Sequence, residues 1–214
     1  MHELTSAAVA LMVCVAAGSY LAGCCNGAII TSFLFYHDDI RKHGSHNAGL
    51  TNFYRVYGGK FAVCVILIDM LKAFVAVKLG SIVFGEYLGL RLEGEYFSAL
   101  FCIIGHIFPA FYSFRGGKGI LCSGTLLLLL DWRIAAVGWG LFALLWLTTR
   151  YVSLGSVSGA VSFPVTTLIF CPGNWTVFVL SLLIASLVIW AHRENISRLL
   201  HGTESRFRWH TDAP

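Results

Sequence analysis

Apolar runs long enough to cross a bilayer constrain this chain more than anything else in it. They occupy Thr5 to about Phe35, Phe61–Leu79, Tyr96–Phe114, Arg133–Thr149, Leu154–Phe170 and Trp175–Ala191, with a shorter run at Ile120–Leu130. About 20 such residues cover the hydrocarbon core, where every backbone polar group must be bonded within the protein. The pattern predicts an all-α polytopic membrane protein of seven transmembrane helices, one or more of them short or broken. Composition agrees, because the chain is 57% hydrophobic and only 12% charged, against about 25% charged in soluble domains. No internal repeat or low-complexity stretch divides residues 1–214, which read as one integral-membrane domain.

Details within the runs refine this. Pro109 interrupts the third and Pro164 breaks the sixth, while Cys171-Pro172-Gly173-Asn174 makes a tight turn. Met1-His2-Glu3 supplies no basic segment, so the first run is expected to be a retained span and not a signal peptide. Gly23 and Gly27 stand at G-x-x-x-G spacing, which favours close helix packing. Asp69 and Lys72 share one face of the second span. Charges at that depth need a partner or a polar interior, so a structural pair and a catalytic one both fit. The seven cysteines lie almost wholly inside apolar runs and read as small buried hydrophobes.

Basic residues orient the chain. Connections after odd-numbered spans hold eleven of the fifteen lysines and arginines, Arg208 included, which predicts an external N-terminus and a cytoplasmic C-terminus. Every polar, motif-like segment (41–55, 115–119, 153–156 and 192–204) then falls on the cytoplasmic face. Substrate chemistry at a membrane surface explains that coincidence. An organophosphate transporter would share basic phosphate sites but need access from both sides, and a non-catalytic partner in lipid synthesis would survive loss of Lys118.

The segment Gly105–Ile120 carries the strongest chemical signal. In Arg115-Gly116-Gly117-Lys118-Gly119, glycines let backbone approach a ligand and lysine adds a point charge. The helix that begins at Ile120 presents its N-terminus to an anion. A helix–helix turn with a topogenic lysine is the plainer reading. Lys118 is followed by Gly119 and not by Ser or Thr, so this is not a Walker A loop. Ser45 to Arg55 is dense in hydrogen-bonding groups, fitting caps and turns on one reading and phosphate recognition by arginine on another. His43 and His46 show no adjacent carboxylate or third ligand and read as solvated or hydrogen-bonded. His192 and Asn195, at i and i+3, project together from the end of the last span. Ser153 and Ser156 flank Gly155 at another break, suited equally to capping and ligand contact. Motifs of the common glycerolipid acyltransferases, α/β hydrolases, zinc proteases and aspartate-rich magnesium sites are missing from the sequence.

Together these segments resemble the bacterial acyl-phosphate:glycerol-3-phosphate acyltransferase family, the PlsY membrane enzymes. The family's S-G-N-x-G-A-T-N-x-x-R matches Ser45 to Arg55, with His46 in place of a glycine and Leu50 in place of an alanine. Its G-H-x-x-P…F-x-G-G-K-G matches Gly105-His106, Pro109 and Phe114 to Gly119. Its H-R-x-N-I-x-R-L-x-x-G-x-E matches His192 to Glu204. Asp69, Lys72 and Ser153 to Ser156 also fit, whereas Cys24-Cys25-Asn26 replaces the family's Ser-Ile-Pro.

The resemblance implies acyl transfer from acyl phosphate to the 1-hydroxyl of glycerol 3-phosphate, the first committed step of phospholipid synthesis. It implies a catalytic set of Ser45, Lys118, His192 and Asn195. Phosphate and substrate contacts fall to Arg55, Asn47, Thr51, Asn52, Gly116, Gly117, Gly119, Gly155 and Ser156. The base is either His192 or a substrate phosphate oxygen. The implied partners are the two phosphorylated substrates, membrane lipids and an enzyme that makes acyl phosphate, with no metal, cofactor or nucleic acid. The implied place is the bacterial plasma membrane, with the active site facing the cytoplasm.

Overall fold

The structure, a computed structural model, describes residues 6–207, all of whose regular elements are helical. Met1-His2-Glu3, Thr5 and Arg208, used above, lie outside the described residues.

The first apolar run is not one helix. It divides into α1 (Ser6–Cys24) and α2 (Gly27–Tyr36). Asn26 sits at the break with its side chain accepting from Ile29 N and donating to Ala48 O at 3.1 Å. Glycine is required on both sides for packing, against different helices. A Cβ at Gly23 would strike the Cys102 carbonyl, and one at Gly27 would lie 2.6 Å from the Val65 carbonyl oxygen. A helix break inside a membrane leaves carbonyls without partners. Lys72 supplies them, donating to Gly23 O at 3.3 Å and Cys25 O at 3.1 Å. Lys72 also meets Asp69 at 2.8 Å, and Asp69 accepts from Gly27 N at 3.1 Å. The Asp69–Lys72 pair therefore fastens the broken first span to the next helix.

The polar segment that follows holds a short 3-10 turn at Ile40–Lys42 and α3 (Leu50–Tyr57). Next comes α4 (Ala62–Leu88), which ends nine residues beyond the expected run and is followed at once by α5 (Arg91–Ile107). The expected acidic connection between them is thus mostly helical. Gly89 turns the chain at φ 67, and Arg91, Ser81 and Glu95 bond one another: Arg91 Nε donates to Ser81 Oγ at 2.9 Å, which donates to Glu95 at 2.7 Å. α5 ends seven residues short of Phe114, just before Pro109. The rest of the bundle is α6 (Ile120–Leu130), α7 (Trp132–Thr149), α8 (Val152–Phe170), α9 (Trp175–Ala191) and α10 (Arg193–Leu200). α8 runs through Pro164 without a break, as membrane helices do where neighbours compensate the lost bond.

Among the described residues, four helices are long and apolar enough to cross a membrane: α1, α5 with the turn after it, α7 and α8. A fifth is counted if α9 and α10, bent by 60°, form one span. The other expected spans fall short for visible reasons. α4 carries Asp69, Lys72 and Lys78, α6 has 11 residues, and α9 alone has 17.

Packing separates two hydrophobic clusters. The larger joins α4 to α9 through residues such as Ala76, Tyr96, Leu126, Ile134, Phe163 and Ile184. The smaller gathers α2, α3 and the start of α4 around Ile29, Ile40, Phe53 and Val65. α9 shows why the bundle suits lipid. Only the stripe Val177, Ser181, Ile184, Ala185 and Val188 is buried, while Val179, Leu182 and Leu183 face outward and the helix stays apolar all round.

Candidate active site

The 44–55 loop is organised by Asn52, which is buried. Its Oδ1 accepts from Ser45 N at 2.8 Å, and its Nδ2 donates toward His43 O at 3.0 Å and Asn47 O at 3.1 Å. Its polar atoms are thus engaged inside the loop, which Asn52 holds in shape while also standing in the wall of the cleft. His46, where the family has glycine, sits in the left-handed region at φ 57, with Nδ1 at 3.0 Å from Arg41 O. His43, read above without a carboxylate neighbour, pairs with Asp38 at 2.6 Å. Ser45, Asn47, Thr51 and Arg55 all line one cleft.

The glycine-rich turn behaves differently from the sequence expectation. Gly116 N donates to Ile107 O and Gly117 N to His106 O, both at 3.1 Å. Those N–H groups close the end of α5 and do not point at a ligand, and neither glycine reaches the cleft. Their small size is what matters. A Cβ on Gly117 would overlap the Ala48 carbonyl and His106 Nε2, and one on Gly116 would lie 2.7 Å from Pro109. His106 accepts a hydrogen bond from Lys72 Nζ at 2.7 Å through Nδ1, since an ammonium only donates. Its Nε2 is pressed against Gly117 with no hydrogen-bond partner among the described residues. Gly119, at φ 77, is the glycine that does face the cleft, at the start of α6. Lys118 beside it donates to Asn195 Oδ1 on α10. Burial lowers the Lys118 pKa, and the charge on Arg198 adds to that while Glu204 opposes it.

The third wall comes from the first turn of α8 and from α10. Gly155 and Ser156 line the cleft, with Ser156 Oγ donating to Val152 O at 2.8 Å. His192, just beyond the end of α9, is 2% exposed. Its Nδ1 lies 2.8 Å from Val188 O, and because a carbonyl only accepts, Nδ1 carries the proton and Nε2 keeps its lone pair. Burial, chiefly, pushes the His192 pKa down to about 4, with nearby Lys118 adding to the effect and the Val188 bond opposing it.

Glu204 is the residue that sequence reasoning passed over. It closes the third motif, which was the available signal. Its Oε1 accepts from Asn195 Nδ2 at 2.6 Å and Ser153 Oγ at 2.8 Å, and its Oε2 accepts from Arg198 Nε at 2.7 Å. Burial raises its pKa, but those hydrogen bonds prevail and hold the carboxyl below the usual range. Because Asn195 Nδ2 donates to Glu204, its Oδ1 is left facing Lys118.

These walls enclose a cleft of about 610 Å³. One end is polar, with Ser45, Arg55, Lys118, Ser156, His192 and Asn195. The other runs between α6, α7, α8 and α9 past Leu127, Phe142, Phe163 and Ile184. A cationic, hydroxyl-bearing mouth opening into an oily slot suits a molecule with an anionic head and an alkyl tail. The fold and this site define an integral-membrane protein with a cleft built for an anionic head and an alkyl tail.

Comparison with known proteins narrows that class. Residues 13–202 match the family model described as glycerol-3-phosphate acyltransferase. The glycerol-3-phosphate acyltransferase of Finegoldia magna is 40% identical over 187 residues, covering 87% of this chain and 91% of its own. That of a Thermoanaerobacter species is 38% identical over 194 residues, covering 91% and 94%. A crystal structure of PlsY (YgiH), an integral membrane glycerol 3-phosphate acyltransferase, in its glycerol 3-phosphate form, is also similar. It superposes with TM-score 0.80 at 30% identity, covering 92% of this chain and 96% of the other. The chain belongs to the glycerol-3-phosphate acyltransferase family and is a multi-pass membrane acyltransferase.

Proposed function

We propose that this protein transfers a fatty acyl group from acyl phosphate to the 1-hydroxyl of glycerol 3-phosphate, releasing lysophosphatidate and inorganic phosphate. The observation that carries the reading is the hydrogen bond from Lys118 to Asn195 at the polar mouth of a cleft that continues as an apolar slot. The slot takes the acyl chain and the mouth takes the phosphates. The glycerol hydroxyl oxygen attacks the acyl carbonyl, the bond from that carbon to the phosphate oxygen breaks, and Lys118 holds the departing phosphate. Arg55, Ser45, Asn47, Thr51 and Ser156 position the two anions. Phosphate is a good leaving group, so oriented cationic donors supply most of what the step needs. The hydroxyl proton passes to His192 Nε2, whose lone pair the Val188 bond preserves, or to a substrate phosphate oxygen.

In this reading seven helices cross the bacterial plasma membrane, with the N-terminus outside and the site on the cytoplasmic face, where an enzyme producing acyl phosphate supplies the donor. The test is phosphate release from acyl phosphate by purified protein with glycerol 3-phosphate as acceptor, and acyl-CoA as the contrasting donor. Release dependent on both acyl phosphate and glycerol 3-phosphate is expected. Turnover with acyl-CoA alone, or transport of glycerol 3-phosphate into liposomes without donor consumption, would sink the proposal.

A further inference from the structure

The segment after α10 doubles back across the polar mouth of the cleft. Thr203 N donates to Arg198 O at 2.8 Å, Glu204 binds Ser153, Asn195 and Arg198, and Phe207 N donates to Arg150 O at 2.8 Å. Arg150 ends α7 in the left-handed region, at φ 66. The Phe207 ring then lies between two aromatics from different walls. Trp146 of α7 meets it edge-on with centroids 5.8 Å apart, and Tyr54 of α3 stacks on it at 6.0 Å and 27°. Tyr54 is the residue before Arg55.

Position makes this contact consequential. α3 belongs to the smaller hydrophobic cluster, while α7, α8 and α9 belong to the larger one. The cleft is lined from both clusters, by Arg55 on one side and by Ser156, His192 and Asn195 on the other. Arg55 is exposed, so the placement of α3 sets where its guanidinium starts. We propose that Phe207 is a positioning residue for Arg55, clamped between Trp146 and Tyr54 so that α3 stands where Arg55 and Lys118 both reach substrate phosphate. Phe207 lies outside the three motifs, beyond Glu204, and its role here rests on the acyl-transfer reading.

Two readouts test it on the full chain in detergent. One is the midpoint of thermal stabilisation by inorganic phosphate, and the other is KM for each phosphorylated substrate separately. Phe207→Ala is expected to raise the phosphate midpoint, and KM for at least one substrate, roughly tenfold, with kcat nearly unchanged. Phe207→Tyr and Phe207→Trp should restore both values, since they keep a ring between Trp146 and Tyr54. Combining Phe207→Ala with Arg55→Lys should add nothing beyond the larger single effect, as required of a residue that acts through Arg55. Additive losses, or an unchanged midpoint and KM, overturn the assignment. If Phe207→Ala fails to fold, Phe207→Leu preserves apolar bulk without the ring, and wild-type values in that variant overturn it equally. Wild-type protein that binds phosphate yet transfers no acyl group would defeat the acyl-transfer reading, while the phosphate midpoint would still decide the role of Phe207.

Discussion

Lys118 and Asn195, 77 residues apart in the chain, are joined by a hydrogen bond from the ammonium to the side-chain oxygen. That contact links the glycine-rich turn to the helix after the last span. It fixes the direction from which the lysine can approach a phosphate.

Replacing Lys118 by Met, which keeps the apolar stem and removes the charge, should cut turnover by about 10²–10³-fold. Phosphate release from acyl phosphate measures this. A variant within tenfold of wild type would remove Lys118 from the reaction.

His192 sets the pH dependence. With its pKa pushed down to about 4, the ring is neutral well below the usual value of about 6.5. If His192 is the base, its protonation leaves kcat flat across the neutral range and lowers it only as pH falls toward 4. Unfolded chain binds this proton more readily, so stability also declines as pH drops from about 6.5. His192→Ala should lower kcat by about 10²-fold or more. Near-normal turnover with an unchanged profile would assign the proton to a substrate phosphate instead.

Glu204 acts on structure first. Glu204→Ala leaves Asn195 Nδ2 and Ser153 Oγ without their partner and should cost about 2–4 kcal/mol, seen as a lower melting temperature together with lost activity. The Arg198 pair adds little, since Arg198 is 40% exposed. The depressed carboxyl pKa gives the sign. The stability that Glu204 contributes is present above the normal carboxylate pKa and disappears as pH falls through the folded value.

Gly117→Ala drives a methyl into the Ala48 carbonyl and His106, separating the two loops that carry Ser45 and Lys118. Activity should fall at least tenfold, with a loss of about 1–3 kcal/mol in stability. A fully active Gly117→Ala would mean that the turn does not hold this position.

His46→Gly restores the family residue at a left-handed position. It should stabilise the protein by up to about 1 kcal/mol, reduced by loss of the contact with Arg41 O, and leave both KM values unchanged. Calorimetry decides it, and a lower melting temperature would show that the Arg41 contact dominates.

Much of this molecule is legible without coordinates. Apolar runs place it in a membrane because lipid forbids unsatisfied backbone, and that rule acts on each segment separately. The three motifs name the family because residue types in order are local facts. Most cleft residues, from Ser45 and Arg55 to His192 and Asn195, follow from them. Only the tertiary structure decided where the first run breaks, because its free carbonyls are matched by a lysine far along the chain. Only it turned Gly116 and Gly117 from ligand contacts into supports, since the direction of an N–H depends on the fold of its neighbours. Glu204 and Phe207 acquired their places in the same way, through contacts between segments that lie far apart in the chain.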